Sequence, residues 1–197
     1  MSNKKSSKGG MFVALVPWVV FTVLANHANL KLASIVSLAL AALIALPGLR
    51  AGKPKMLDLG GVVTFVGFLV VALTADATVA HDVTRYARGI AAAALSLLAF
   101  ASLLFVPFTE QYARESVPQE AWGSARFKAI NRKLTVMWAL IFAGMVPFHI
   151  VAGAVNTQRA NIILNFVVPC LMVLWGAKHS TGEVDGSSAT VTQRAGA

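Results

Sequence analysis

Six apolar runs, separated by short polar gaps, restrict the fold of this chain more than any other feature of its sequence. They extend over residues 11–25, 32–49, 57–74, 89–108, 134–155 and 162–177. Only 13% of the 197 residues are charged and 57% are hydrophobic, whereas a soluble domain carries about 25% charged residues. Six such runs cannot all be buried inside so short a chain, so we expect them to face lipid.

Each run is close to the roughly 20 residues that a membrane-spanning helix needs. The hydrocarbon core offers no partner to exposed backbone groups, so the runs should be helical, and barrel strands would be shorter and alternate in polarity. The sequence therefore predicts an all-α, polytopic membrane helix bundle with six transmembrane helices over residues 11–177. A flexible cytoplasmic tail (1–10) is expected before the bundle and a disordered cytoplasmic tail (178–197) after it.

The positions of lysine and arginine predict the orientation of the bundle. Of the 17 basic residues, 13 lie in the N-terminal tail, the second gap, the fourth gap and the C-terminal tail, and four lie in the alternate gaps. Basic residues accumulate on the cytoplasmic side, so both termini are predicted to be cytoplasmic. The net charge of +9 then indicates contact with anionic lipid headgroups rather than nucleic acid.

The first apolar run has a second interpretation as a secretory signal. A basic tail precedes it, and Val23, Leu24 and Ala25 resemble a small-residue cleavage site. Pro17 and Trp18 inside the run argue against this interpretation, as does the second run, which follows almost at once. We therefore expect residues 11–25 to be retained as a span.

The gap over residues 109–133 is the longest polar segment. Ser116 and Gln119 fit a capping box, and Pro118 suits the first turn of a helix. We predict a short amphipathic cytoplasmic helix between the fourth and fifth spans. Its role is either to position the fifth span by contact with lipid or to dock a partner. The residues expected at the membrane surface are Trp122, Arg126, Lys128, Arg132 and Lys133.

The same gap carries a family resemblance. Residues 108–115 read Phe-Thr-Glu-Gln-Tyr-Ala-Arg-Glu and are followed by Pro118, Trp122, Asn131, Thr135 and Trp138, which resembles a pattern in small bacterial inner-membrane proteins. More broadly, the chain resembles the intracellular septation protein A family through Pro17, Pro118, Trp122, Trp138 and Phe142. The spacing from Trp122 to Trp138 is longer than that family leads us to expect. The resemblance implies a protein of the bacterial cytoplasmic (inner) membrane, with an envelope or division-related role and no known catalysis.

His149 and Asn165 are the candidate ligand-binding residues. His149 is the only ionisable side chain well inside an apolar run, and such residues are functional candidates by default. Asn165 lies at a similar depth in the next run, so a hydrogen bond between a neutral imidazole and the amide would satisfy both groups. The histidines have no ligand spacing and Cys170 is the only cysteine, so we expect no metal and no cofactor.

Two classes of function fit this sequence. The first is a non-enzymatic integral membrane protein of the bacterial envelope, acting through membrane-protein partners or as a homo-oligomer in envelope maintenance or cell division. The second is a small permease or channel for a small solute or ion, suggested by prolines inside the runs and by His149. The sequence has no phosphate-binding loop, nucleophile elbow or paired carboxylates, so no catalytic residues are expected. A water-accessible cavity at the membrane midplane would favour the permease.

Overall fold

A computed structural model describes residues 10–27 and 29–180 of the chain, and within these residues the fold is helical throughout, without strands. The helices are α1 (Gly10–His27), α2 (Leu30–Arg50), α3 (Met56–Thr74), α4 (Ala77–Ser102), α5 (Phe108–Ala113), α6 (Ala125–Val155) and α7 (Gln158–Ser180). A short 3-10 turn, Gln119–Ala121, lies between α5 and α6, and a π-helical turn, Ile163–Val167, interrupts α7. The tails are predicted at 1–10 and 178–197, and residues 1–9 and 181–197 of them lie outside the described residues. Helix α7 includes residues 178–180, the first three of the predicted C-terminal tail.

Four of these helices, α2, α3, α6 and α7, are long and apolar enough to cross a membrane. The prediction of an all-helical protein with membrane-type helices is confirmed to that extent. Helix α1 is apolar but shorter, over Gly10–Ala25, and α4 carries His81, Asp82, Arg85 and Arg88 in its first half. Six membrane spans therefore remain a prediction.

Helix α4 differs most from the predicted boundaries. It begins 12 residues before the fourth apolar run, which starts at 89, and ends six residues before that run does. The Asp76 carboxylate accepts hydrogen bonds from the backbone N–H groups of Thr78 and Val79, both at 2.9 Å. This N-cap starts the helix inside the polar gap. At the other end, the Ser102 hydroxyl accepts from the Phe108 N–H at 3.0 Å, and Phe108 begins α5 instead of ending α4.

The short amphipathic helix predicted within residues 109–133 is not confirmed, because the segment consists of α5, the 3-10 turn and the start of α6. The 3-10 turn at 119–121 follows Pro118 without a side-chain cap, and the Ser116 hydroxyl donates to the Ala113 carbonyl at 3.2 Å, so the predicted capping box is not formed. The cap of α6 is Ser124, whose hydroxyl accepts from the Phe127 N–H at 3.2 Å. The hydroxyl that caps α6 thus lies eight residues after Ser116, and α6 is a single helix of 31 residues.

The core is built from aromatic residues at the middle of α1 and α3 and from small residues along α4. Trp18 and Phe21 of α1 lie against Phe65 of α3, with ring centroids 5.0 and 5.3 Å apart. Helices α4 and α6 share the most extensive contact in the bundle, and fully buried alanines on α4, such as Ala87 and Ala99, allow it. Helix α7 packs mainly on α6 and is the least buried of the four membrane-type helices.

Candidate functional site

A buried polar cluster joins α4, α6 and α7. We call it the histidine cluster, and its members are Arg88, His149, Asn161 and Asn165. His149 Nδ1 lies 2.7 Å from the side-chain amide of Asn165, so the predicted contact between these two residues is confirmed. The side-chain amide of Asn161, one turn earlier on α7, lies 2.9 Å from that of Asn165. Whether His149 or Asn165 binds a ligand stays a prediction.

The orientation of the Asn165 amide follows from its neighbours. With its nitrogen towards His149, Asn165 donates to His149 Nδ1, and its oxygen accepts from Nε and Nη2 of Arg88, both at 3.2 Å. The opposite orientation would set the amide nitrogen against the guanidinium donors, so hydrogen bonding assigns the first. His149 then accepts at Nδ1, which corresponds to a neutral imidazole with its proton on Nε2.

The backbone of α7 is adapted to hold Asn165. The π-helical turn is marked by a hydrogen bond from the Val168 N–H to the Ile163 carbonyl, five residues earlier. Pro169 has no N–H to donate to the Asn165 carbonyl, which an ordinary helix would require at this spacing. Single π turns inside helices occur frequently at functional sites. Asn165 lies at the centre of this turn and is 2% exposed.

A polar cleft of about 230 Å³ opens above the histidine cluster. Its lining consists of Ala25, His81, Thr84, Arg85, Arg88, Gly153, Asn156 and Asn161. Arg88 and Asn161 belong to both the cleft and the cluster, whereas His149 and Asn165 lie behind them and do not line the cleft. The sequence thus predicted the contact between His149 and Asn165, which lies behind the cleft, but not the residues that line the cleft. One signal was available: His81, Thr84, Arg85 and Arg88 share one face of a helix.

Arg85 fixes one wall of the cleft to the end of α6. Its guanidinium donates to the carbonyl oxygens of Gly153 and Ala154, and it lies over the ring of Tyr86. These carbonyls belong to the last turn of α6, where a positive charge also complements the helix dipole. Asn156 ends α6 in the left-handed conformation, with φ of 48°. The rim of the cleft is therefore held by backbone contacts as well as by side chains.

A second polar cluster lies at the opposite end of the bundle, where α5 meets α3. We call it the tyrosine cluster, and its members are Lys55, Asp58, Gln111, Tyr112 and Glu115. The Tyr112 hydroxyl donates to Asp58 at 2.6 Å, and Gln111 accepts from the Met56 N–H at 2.7 Å. Lys55 forms an ion pair with Glu115 at 2.6 Å and lies over the Tyr112 ring.

The environment of Tyr112 strongly favours its neutral form. Burial raises the pKa of the Tyr112 phenol well above its ordinary value, and the negative charge and hydrogen bond of Asp58 raise it further. Tyr112 therefore remains a hydrogen-bond donor at physiological pH. The sequence pattern at 108–115 drew attention to this segment, but it did not indicate the partner on α3.

The residues predicted at the membrane surface lie at the start of α6. Arg126, Lys128, Arg132 and Lys133 are exposed. Trp122 is half-buried, donates from Nε1 to the Val117 carbonyl at 3.0 Å, and lies under the Arg114 guanidinium. The tryptophan is thus held by the chain itself, while the four basic side chains lie at the surface of the described structure, where Arg132 also donates to the Leu103 carbonyl at 3.4 Å. Their contact with lipid stays a prediction.

Among the described residues, no group of three histidine, cysteine, aspartate or glutamate side chains is placed to hold a metal ion. Comparisons with protein-family models, with curated proteins and with solved structures find no match to the chain. The resemblance to the intracellular septation protein A family therefore stays a prediction.

Proposed function

We propose that the chain is a six-span protein of a bacterial cytoplasmic membrane, with both termini in the cytoplasm, that acts in the envelope by binding rather than by catalysis. The observation that carries this proposal is the separation of polar groups into two clusters at opposite ends of an apolar bundle. Arg88, beside the cleft, and Ser102, beside α5, are 14 residues apart on one helix, which corresponds to about 21 Å.

The face of α6 below the cleft is filled by large apolar side chains. From His149 towards the start of α6, that face carries Met145, Phe142 and Trp138, which are all buried. His149 lies six residues from the end of α6, or about 9 Å along the helix. Because His149 lies behind the residues that line the cleft, the cleft ends short of the midplane of a bilayer core about 30 Å thick. This supports a one-sided binding site more than a continuous pathway.

A small permease is the second candidate function. It is favoured by the π turn and by Pro147 and Pro169, which lie in α6 and α7, two of the three helices that carry the histidine cluster. Interrupted helices accommodate substrate sites in transporters. A permease requires the cleft to open alternately to both sides, and the buried aromatic side chains of α6 would then have to move out of the way.

Topology reporters test the six-span arrangement. Fusions after Gly52 and Gly123 should report cytoplasm, and a fusion after Ala75, between α3 and α4, should report the opposite side. Asp82 is a poorer fusion point because it lies within α4. A cytoplasmic signal at Ala75 would contradict the six-span arrangement.

Affinity purification from native membranes separates the two functions. A protein that acts through partners should retain a membrane protein in roughly equal amount after mild solubilisation. Purified chain in liposomes should then leave the internal solute content unchanged. Purification of the chain alone, together with solute uptake that is lost in Arg88→Gln and kept in Arg159→Gln, would favour the permease instead.

A further inference from the structure

We propose that the polar cleft binds a phosphate-type oxyanion, with Arg88 at its base as the main ligand. The inference rests on the proposed function in one respect. The cleft lies where α6 ends, and this end of the bundle faces the non-cytoplasmic side only in the six-span arrangement. The chemistry of the cleft itself does not depend on orientation. It depends on the side chains that α4, α6 and α7 bring together.

The lining of the cleft is rich in hydrogen-bond donors. It offers two guanidinium groups, an imidazole and two asparagine amides, whereas the Thr84 hydroxyl donates to the Ala80 carbonyl at 2.7 Å. None of the eight described residues that line the cleft is acidic. The neighbouring carboxylate of Asp82 is 62% exposed and lies 3.6 Å from His81 without lining the cleft. A concave surface of this composition favours an anion with several acceptor oxygens.

Arg88 is built into the cleft rather than merely near it. The residue is only 7% exposed, and an arginine inside an apolar bundle is costly unless it serves a contact or a ligand. Asn165 accepts from Nε and Nη2, and His149 in turn holds Asn165. This chain of contacts fixes the direction in which the guanidinium enters the cleft. A fixed, planar guanidinium matches the oxygens of a phosphate group better than a flexible ammonium does.

The size of the cleft restricts the ligand. Its volume of about 230 Å³ is below the roughly 300–1,000 Å³ of sites for drug-sized molecules. A phosphate group with a few waters fits, since one water occupies about 30 Å³, whereas a nucleotide does not. The phosphate group comes either from free inorganic phosphate or from the headgroup of an anionic phospholipid, because both present the same oxygens.

Thermal unfolding of the full-length protein in a maltoside detergent tests this proposal, because that detergent carries no phosphate. Inorganic phosphate is titrated at constant ionic strength against chloride, and phosphatidylglycerol is titrated in a parallel series. We expect a saturable rise in Tm in at least one series. Arg88→Gln should abolish the rise or increase the half-saturating concentration about tenfold or more, as expected for loss of a charge-assisted hydrogen bond. Arg159→Gln, an exposed arginine on the α6–α7 hairpin, should behave like the wild type.

A second variant keeps the test decisive if Arg88→Gln does not fold. Asn156→Gly removes an amide from the lining and preserves the left-handed backbone, which glycine adopts readily. It should increase the half-saturating concentration several-fold without loss of fold. An Arg88-dependent rise with phosphate identifies a free anion, and one with phosphatidylglycerol alone identifies a lipid headgroup. No rise in either series, or a rise unchanged in both variants, overturns the proposal.

These results are independent of the tests of the proposed function. A cytoplasmic reporter signal at Ala75 would overturn the six-span arrangement while leaving a phosphate-dependent rise in detergent intact. The absence of that rise would leave topology and partner capture unaffected.

Discussion

The side-chain amide of Asn165 lies 2.7 Å from His149 Nδ1, and this contact joins α7 to α6 across a short hairpin. The same amide contacts Arg88 on α4 at 3.2 Å. One asparagine therefore connects three helices and holds the arginine at the base of the polar cleft. Because α7 packs mainly on α6, we expect this contact to fix the position of α7.

The first prediction concerns the coupling between His149 and Asn165. Each alanine substitution should lower stability modestly, because hydrogen bonds between membrane helices contribute about 0.6 kcal/mol on average and about 1.7 kcal/mol at most. Asn165→Ala should cost more than His149→Ala, since it also removes the acceptor of Arg88. Unfolding free energies of the single and double variants measure this. The loss in the double variant should be smaller than the sum of the two single losses.

Cys170→Ala provides the matched control for that cycle. Cys170 lies on α7 and is exposed, so its loss should add to that of His149→Ala within experimental error. If the losses of unfolding free energy in His149→Ala and Asn165→Ala also simply add, the contact between the two residues contributes no coupling.

The second prediction concerns Tyr112. Tyr112→Phe removes the hydroxyl that donates to the buried Asp58 at 2.6 Å, and should lower the unfolding free energy by about 1.5–3 kcal/mol, the range for hydrogen bonds to charged groups. Tyr86→Phe is the control, because the Tyr86 hydroxyl makes no hydrogen bond to the described residues. Denaturant-induced unfolding followed by tryptophan fluorescence measures both. A loss in Tyr112→Phe no greater than in Tyr86→Phe would remove the tyrosine cluster as a stabilising feature.

A third prediction follows from the raised pKa of Tyr112. The folded protein keeps the phenol protonated at pH values where an unfolded tyrosine, with a pKa of about 10, begins to ionise. Its contribution to stability is therefore complete below about pH 10 and decreases as the pH rises above that value. In Tyr86→Phe, where Tyr112 is the remaining tyrosine, tyrosinate absorbance should appear only together with unfolding. Its appearance in the folded protein near pH 10 would contradict the burial of this phenol.

The sequence predicted much of the helical pattern but little of the polar organisation. Apolar runs predicted α2, α3 and α7 closely, because lipid-facing helices must be apolar along most of their length. They failed for α4, whose polar first half is stabilised by the cap at Asp76 and by contacts with α6. His149 and Asn165 could be paired because a short hairpin sets them at equal depth. Arg88 and Asp58 could not be paired with their partners, because those partners are distant in sequence.

The fourth prediction concerns the basic surface at the start of α6. Replacing Arg126, Lys128, Arg132 and Lys133 by glutamine should reduce stabilisation by phosphatidylglycerol, since each basic residue near an anionic surface contributes about 1 kcal/mol. The effect should weaken in high salt because these side chains are exposed. Thermal shifts in phosphatidylglycerol and phosphatidylcholine nanodiscs measure the difference. Lys31→Gln with Arg159→Gln, on the predicted opposite side, is the control and should have a smaller effect.

The last prediction concerns the close approach of α4 to the end of α6. A Cβ atom on Gly153 would lie 2.8 Å from two ring carbons of Tyr86 and 3.2 Å from the Arg85 carbonyl oxygen. Gly153→Ala should therefore displace Tyr86, and we expect a loss of about 1–3 kcal/mol, as for other overpacked sites. It should also weaken phosphate binding, because the Gly153 carbonyl holds Arg85 at the rim of the cleft.

Gly67→Ala separates this steric effect from the general effect of alanine in a helix. Gly67 lies within α3, and a Cβ atom there would meet nothing within 4 Å. Alanine favours helix over glycine by up to about 1 kcal/mol, so Gly67→Ala should leave Tm unchanged or raise it. Equal Tm values for the two variants would mean that Tyr86 yields without cost, and that α4 and α6 are not held together at Gly153 as closely as the structure indicates.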